Sequence, residues 1–152
     1  YLMRIVVQRV TQASVTIENQ VKGEIGLGLL LLAGFTNDDT EEDLKWIASK
    51  VVQLRIFSDA DDKMNLSVQD VQGDLLVISQ FTLYALTKKG NRPSYIQAAP
   101  PAVAIPLYER FVALLEEALG KKVQTGEFGA DMKVALLNDG PVTITIDSKN
   151  RE

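Results

Sequence analysis

The sequence predicts an α+β fold: mainly antiparallel, curved or barrel-like β-sheets covered by two main helices. Three observations predict it. Strand-like runs far outnumber helical ones, their connections are short enough to favour antiparallel pairing, and two stretches repeat apolar residues at helical spacing.

Residues 4–10 and 14–18 are rich in Val, Ile and Thr, with Val15 and Ile17 alternating with polar neighbours, which predicts strands with a kink near Gln12-Ala13. Residues 20–25 and 27–35 read as a hairpin pair pivoting at Gly26; the second member is apolar on both faces and is expected to be central. Thr40 followed by Glu41, Glu42 and Asp43 marks a helix start, a capping hydroxyl with acids at the positive end of the helix dipole. Leu44, Ile47, Ala48, Val51 and Leu54 form its apolar stripe. Asp59 to Asn65 is a polar turn region; its acids lack the ligand spacing and terminal Glu of a calcium loop.

Leu75 to Ile78 predicts a buried strand that runs into Ser79-Gln80-Phe81-Thr82. If strand alternation continues, Ser79 and Phe81 point one way and Gln80 and Thr82 the other. After Thr87 a long irregular loop passes through Lys88, Gly90, Pro93, Pro100 and Pro101. The second helix is placed from Pro106, a good first-turn residue, with Leu107, Phe111, Leu114, Leu115 and Ala118 as its stripe and Gly120 as its end. Strand character returns at Val123–Thr125, at Met132–Leu137 and at Val142–Ile146. Each helix is expected to cover a sheet face. Residues 3–147 read as a single domain and 148–152 as a short polar tail. Tyr1-Leu2 precede Met3, a natural start, and are set outside the fold.

The 152 residues contain no Cys and no His. Disulfides, thiolate nucleophiles, Cys-based zinc sites and every Ser-His or Cys-His dyad are thereby excluded. Chemistry must come from hydroxyls, amides, carboxylates, Lys and Arg, the backbone or the substrate. Net charge is −4, which argues against extensive wrapping of a nucleic-acid backbone but allows a local basic patch. Lys88, Lys89 and Arg92, clustered in one loop, are the candidates for it, with Lys121 and Lys122 elsewhere. The apolar run Gly28–Gly34 is too short to span a bilayer, so the expected location is cytoplasmic, with no membrane partner.

By local pattern, Ser79 to Thr82 read first as an ordinary strand end and Asn138-Asp139-Gly140-Pro141 as an ordinary hairpin turn. A strand end, however, frees backbone N–H groups that can bind a developing oxyanion. A Gly–Pro step likewise offers backbone carbonyls without a side chain in the way.

Seven segments together resemble the D-aminoacyl-tRNA deacylase family across the whole chain from Met3. They are Met3–Val10, Arg55–Asp59, Lys63–Leu66, Ser79–Leu83, Arg92–Ser94, Gly129–Met132 and Asn138–Thr143. Each is weak alone; their order and spacing are specific. Tyr95, where some relatives carry Phe, is a mild variation.

The resemblance implies hydrolysis of the ester of D-aminoacyl-tRNA with rejection of the L form, and mischarged glycyl-tRNA as a further candidate substrate. It implies a homodimer with pockets at the subunit interface and the 3′ end of aminoacylated tRNA as partner; no metal or other cofactor is expected. Gly140-Pro141 would be the family's Gly–cisPro motif, inserted into the partner's pocket opposite Ser79, Gln80, Phe81 and Thr82. Arg9, Met132 and Asn138 would belong to the substrate-binding, chirality-reading set. The Phe81 and Thr82 N–H groups would then hold the ester carbonyl oxygen, and the ribose 2′-hydroxyl would orient or activate water. Thr82 ranks as a positioning residue ahead of a nucleophile, since nothing nearby in the sequence supplies a base. Competing readings are a non-catalytic nucleic-acid-binding module, a general esterase and a purely structural dimer.

Overall fold

A computed structural model describes residues 3–152, so the reading of Tyr1-Leu2 lies outside the described residues. One six-stranded mixed sheet organises the chain. Its strands are β1 (Arg4–Ile17), β2 (Gln20–Ile25), β3 (Gly28–Gly34), β6 (Asp74–Ser79), β7 (Gln124–Thr125) and β8 (Lys133–Asp147). A small antiparallel ribbon, β4 (Phe57–Ser58) with β5 (Met64–Leu66), stands apart. Two helices, α1 (Glu41–Gln53) and α2 (Pro101–Leu119), and a 3-10 turn (Phe81–Tyr84) complete the elements.

The two expected N-terminal strands are one, β1, kinked where Thr11 is left without a counterpart between the Val10↔Asn138 and Gln12↔Leu137 pairs. The hairpin expected at Gly26 does not form. β2 pairs with Ile17–Ala13 and β3 with Val10–Arg4, both antiparallel, so they follow one another along one edge of β1 and Gly26-Leu27 is only a bend. The reversal is made by Glu18-Asn19, whose φ values of 50° and 66° suit a two-residue turn matched to strand twist.

Antiparallel pairs join β1 to β2, β3 and β8, while β3–β6 and β6–β7 are parallel. The parallel pairs follow from connectivity, because α1 lies on the crossover from β3 to β6 and α2 on that from β6 to β7. Both crossovers step the same way along the sheet. Right-handed connections of that kind leave their helices on one face, and so the helices share a face instead of covering one each. Met3, Ile5, Val7, Leu29, Leu31, Leu75 and Val77 meet Leu44, Ile47, Val51, Phe111 and Leu115 there in the main core. A smaller cluster on the opposite face, Val10, Ala13, Val15, Ile25, Leu30, Leu76 and Ile78, is covered by the curl of the sheet itself.

At α1, Thr40 accepts from Asp43 N (3.3 Å) and Asp43 Oδ2 accepts from Thr40 N (2.9 Å), a reciprocal cap worth about 1 kcal/mol. Leu54 is the C-cap and only partly buried. α2 begins at Pro101, not Pro106. Pro101 already takes the first-turn position, and Pro106 is tolerated inside because the carbonyl it leaves unbonded, that of Ala102, belongs to an exposed residue. Starting earlier also brings Ala104 into the buried stripe, which includes Tyr108 as well, with Leu107 and Ala118 at its margin. Gly120, at φ 83°, ends the helix. Residues 148–152 are docked: Ser148 N donates to Met3 O (2.9 Å), and the Arg151 guanidinium lies 4.1 Å from the Trp46 ring centroid.

Candidate active site

β6 leaves the core at Ser79, which pairs with Ala33, and Gln80 N still donates to Ala33 O (2.8 Å). Strand alternation stops there. Phe81 opens the 3-10 turn, and Gln80 Nε2 donates to Thr82 Oγ1, tying the two side chains together. The turn's own bonds begin at Leu83 N, which donates to Gln80 O (3.3 Å), followed by Ala85 N to Thr82 O (3.1 Å). The Phe81 and Thr82 N–H groups therefore stand ahead of the internal ladder, as the first donors of any helical turn do. Phe81 is 54 % exposed, its ring edge-on to Tyr95 at 5.0 Å. At the far end of the turn, buried Tyr84 donates to Gly34 O (2.9 Å), and burial pushes its phenol pKa up.

Asn138 to Pro141 form no hairpin turn. They lie inside β8, where Thr143 pairs with Gln8 and Asn138 with Val10, so that four residues, Asp139 to Val142, stand opposite Arg9 alone. The surplus is extruded from the strand as an exposed Gly140-Pro141 tip with a cis peptide bond. Two side chains support it from below. Arg9, 8 % exposed, donates through Nε to Asp139 O (3.1 Å) and through Nη1 to Ile56 O (2.7 Å), with Asp139 Oδ2 3.5 Å from Nε. Asn138 bridges the neck, accepting from Val142 N (3.2 Å) and donating to Thr143 Oγ1 (3.0 Å). Gly140 sits at φ 129°, in backbone space that L side chains rarely adopt. A Cβ there would fall 2.8 Å from Val142 Cγ2 and 3.1 Å from Arg9 Nη2.

Arg9 and Asn138 thus hold the residues that flank Gly140-Pro141, whereas Ser79 to Thr82 form a separate wall. Ser79 is level with Ala33, Ile5 and Ile146 across the sheet, and β3 and β1 intervene before β8. Measured along the sheet, three strand spacings, on the order of 14 Å, separate Ser79 from β8, and the tip is offset further along that strand from Ile146. Met132 lies with the wall's side of the molecule: it packs on the small cluster containing Ile78, its Sδ close to Gly126. Lys88, Lys89 and Arg92 are exposed on a tip closed at its base by the Leu86↔Ser94 bridge, just beyond the 3-10 turn.

Among the polar turns, Asp59 Oδ1 accepts from Asp61 N (2.8 Å) and Lys63 N (3.0 Å), which makes it a local turn organiser. Among the described residues there is no His/Cys/Asp/Glu group able to hold a metal ion. Two residues that the sequence pattern does not single out stand next to the wall: Arg4, bonded to the Leu83 carbonyl, and Tyr84. Their signal lies in pairing across the sheet, which no local pattern contains. Chemically, the site offers backbone N–H donors, a neutral amide, a hydroxyl and a side-chain-free carbonyl tip. Such an arrangement can polarise a carbonyl and position a substrate.

Comparison with known proteins shows the family. The family model described as D-Tyr-tRNA(Tyr) deacylase matches residues 6–147. A D-aminoacyl-tRNA deacylase of Flavobacterium psychrophilum is 62 % identical over 150 residues, covering 99 % of this chain and all of its own. One from Bacteroides thetaiotaomicron is 61 % identical with the same coverage. A solved structure named c-Myc DNA Unwinding Element Binding Protein superposes with a TM-score of 0.90 at 40 % identity, over 95 % of this chain and 97 % of that one. Another, described as a probable eukaryotic D-amino acid tRNA deacylase, gives 0.83 at 20 % identity over 97 % and 100 %, a likeness of fold.

Proposed function

Because the chain belongs to the D-Tyr-tRNA(Tyr) deacylase family, we propose that it hydrolyses the ester linking a D-amino acid to the terminal adenosine of tRNA. The products are free D-amino acid and tRNA, and the L-aminoacyl form is rejected. The observation that carries the chirality reading is the Gly140-Pro141 tip, extruded from β8 and held from beneath by Arg9 and Asn138.

The ester is already activated by the neighbouring α-ammonium, so a modest catalyst suffices. The Phe81 and Thr82 N–H groups receive the carbonyl oxygen as negative charge develops. The ribose 2′-hydroxyl next to the ester orients or activates the attacking water. Thr82 positions: the bond to its hydroxyl oxygen comes from the neutral Gln80 amide, which is no base. The carbonyls of the Gly140-Pro141 tip receive the α-ammonium and Cα–H of a D residue, and an L side chain is directed into that backbone.

A second copy of the chain brings the tip to the wall. The separation of the two segments within one chain supports this, as do Leu136 and Leu137, 37 % and 55 % exposed on β8, a strand that pairs on one side with β1. Lys88, Lys89 and Arg92 contact the acceptor-end phosphates. Among the described residues no helix is long and apolar enough to cross a membrane. The place of action proposed is the cytoplasm, where the substrate, aminoacylated tRNA, is used. Whether glycyl-tRNA is cleared follows from the same geometry, since glycine presents no side chain to the tip.

Incubation with matched D- and L-aminoacyl-tRNA tests the proposal: selective loss of the D ester is expected. Hydrolysis of neither removes the enzyme reading, and equal hydrolysis of both removes the chirality filter. The name of the 40 % identical structure favours a second reading, a nucleic-acid-binding module without turnover. It requires salt-sensitive binding to plain DNA or RNA, which the net charge of −4 disfavours.

A further inference from the structure

The 3-10 turn at the end of β6 is held poorly by its own bonds, at 3.3 and 3.1 Å, as short turns of this geometry are. Its orientation comes from outside. Gln80 N is anchored on Ala33 O, and the Tyr84 hydroxyl on Gly34 O, with the ring seated so closely that a Cβ at Gly34 would lie 2.7 Å from Cε2. The third anchor is Arg4, at the start of β1. Its Nη1 donates to the Leu83 carbonyl at 2.7 Å, and its guanidinium carbon lies 5.3 Å from the Tyr84 ring centroid. Asp147, the cross-strand partner of Arg4 on β8, takes the Nε–H at 2.9 Å and fixes the plane of the fork.

Unlike the Ala33 and Gly34 contacts, this one comes from a charged side chain, and it joins the turn to strands on the far side of β3. We infer that Arg4 is a positioning residue for hydrolysis, holding the turn through the Leu83 carbonyl so that the Phe81 and Thr82 N–H groups aim at the ester oxygen. The inference rests on the reading of residues 79–82 as the ester-binding wall. A lysine cannot replace it fully, because one ammonium on a flexible stem does not present two donors in a fixed plane. Asp147 acts one step further back, by orienting Arg4.

The test uses Arg4→Gln, Arg4→Lys and Asp147→Asn in the full chain, with steady-state hydrolysis of D-aminoacyl-tRNA and amide NMR. Arg4→Gln is expected to lower kcat by about 10- to 100-fold through misplacement of the donors, with KM and its salt dependence unchanged. Arg4→Lys recovers part of the loss. Asp147→Asn loses less, and combined with Arg4→Gln it adds nothing. The Phe81 and Thr82 amide resonances shift in Arg4→Gln, a readout that does not depend on the substrate. A raised KM with a flattened salt dependence and intact kcat would make Arg4 an RNA contact and overturn the inference. So would a lowered melting temperature with unshifted amides and full kcat per folded protein. If the unaltered protein hydrolyses no D-aminoacyl-tRNA, the proposed function falls separately, and the amide shifts alone decide whether Arg4 holds the turn.

Discussion

Gly140→Ala is the sharpest perturbation available, because one methyl group meets three constraints at once. The backbone at φ 129° suits glycine, and holding an L residue in such a region costs about 1–3 kcal/mol. The new Cβ would also fall 2.8 Å from Val142 Cγ2, 3.1 Å from Val142 N and 3.1 Å from Arg9 Nη2. Arg9 has little room to yield. It is 8 % exposed, and moving it disturbs bonds to Asp139 O and Ile56 O, each worth about 1.5–3 kcal/mol as bonds to a charged group. The tip is exposed and moves more cheaply, so the strain is relieved by displacing Gly140-Pro141. Global stability then falls modestly, by about 1–3 kcal/mol, or on the order of 2–12 °C in Tm for a chain of this size. A displacement of about 1 Å at a positioning group lowers kcat/KM by roughly 100-fold, and L-aminoacyl-tRNA is rejected less well. Circular-dichroism melts and parallel D- and L-ester hydrolysis measure both effects. The D-to-L ratio is internal to each sample and is not confounded by a changed folded fraction. Unaltered kinetics and an unaltered ratio would refute the assignment of the tip to the pocket.

Thr82→Ala is expected to retain turnover within about tenfold, as befits a positioning hydroxyl; abolished turnover with normal D-aminoacyl-tRNA binding would make Thr82 the nucleophile. Replacing Lys88, Lys89 and Arg92 together by Ala should raise KM and flatten its salt dependence by up to about three units of log-log slope, with kcat unchanged; an unchanged slope in a salt titration moves the RNA contact elsewhere. Leu137→Glu puts a charge on an apolar residue of β8 and is expected to yield monomers by sedimentation, with deacylation lost because tip and wall no longer meet; an active monomer contradicts the shared-pocket reading. Burial raises the Asp39 pKa to about 6 against hydrogen bonds from Thr36 that lower it. Folding therefore binds a proton that the unfolded chain, titrating near 4, has already lost. The contribution is full below about pH 4 and is lost as pH rises to about 6, so Asp39→Asn should melt higher than the parent at pH 8 and alike at pH 4, and equal melts at pH 8 would show that Asp39 is not strained.

Much of the architecture is local in origin and therefore legible along the chain. Thr40 with Asp43 announces α1 because a cap is made by residues three apart. Leu44, Ile47, Ala48 and Val51 announce its buried face through helical period, and Gly120 stops α2 through its freedom at positive φ. The absence of His and Cys limits the chemistry through composition alone. Where local pattern and fold part, the cause is shared. Glu18-Asn19 lacks the glycine of a common two-residue turn, so the pattern points to Gly26 for the reversal; Pro106 resembles a helix start although Pro101 serves as one.

By itself the sequence determined the α+β class, the capped and amphipathic helices, a chemistry free of imidazole and thiol, and a family-like order of motifs. Tertiary structure alone decided that Asn138–Pro141 is an extrusion within β8, that β2 and β3 share one edge of β1, that both helices lie on one face, and that Arg4 reaches Leu83. The physical reason is range. Caps, turns and periodicity are set by neighbours within a few residues. The β1–β8 register is set between segments more than a hundred residues apart, where Arg9 faces four residues of β8 only because the pairs on either side, Gln8↔Thr143 and Val10↔Asn138, leave them no other place.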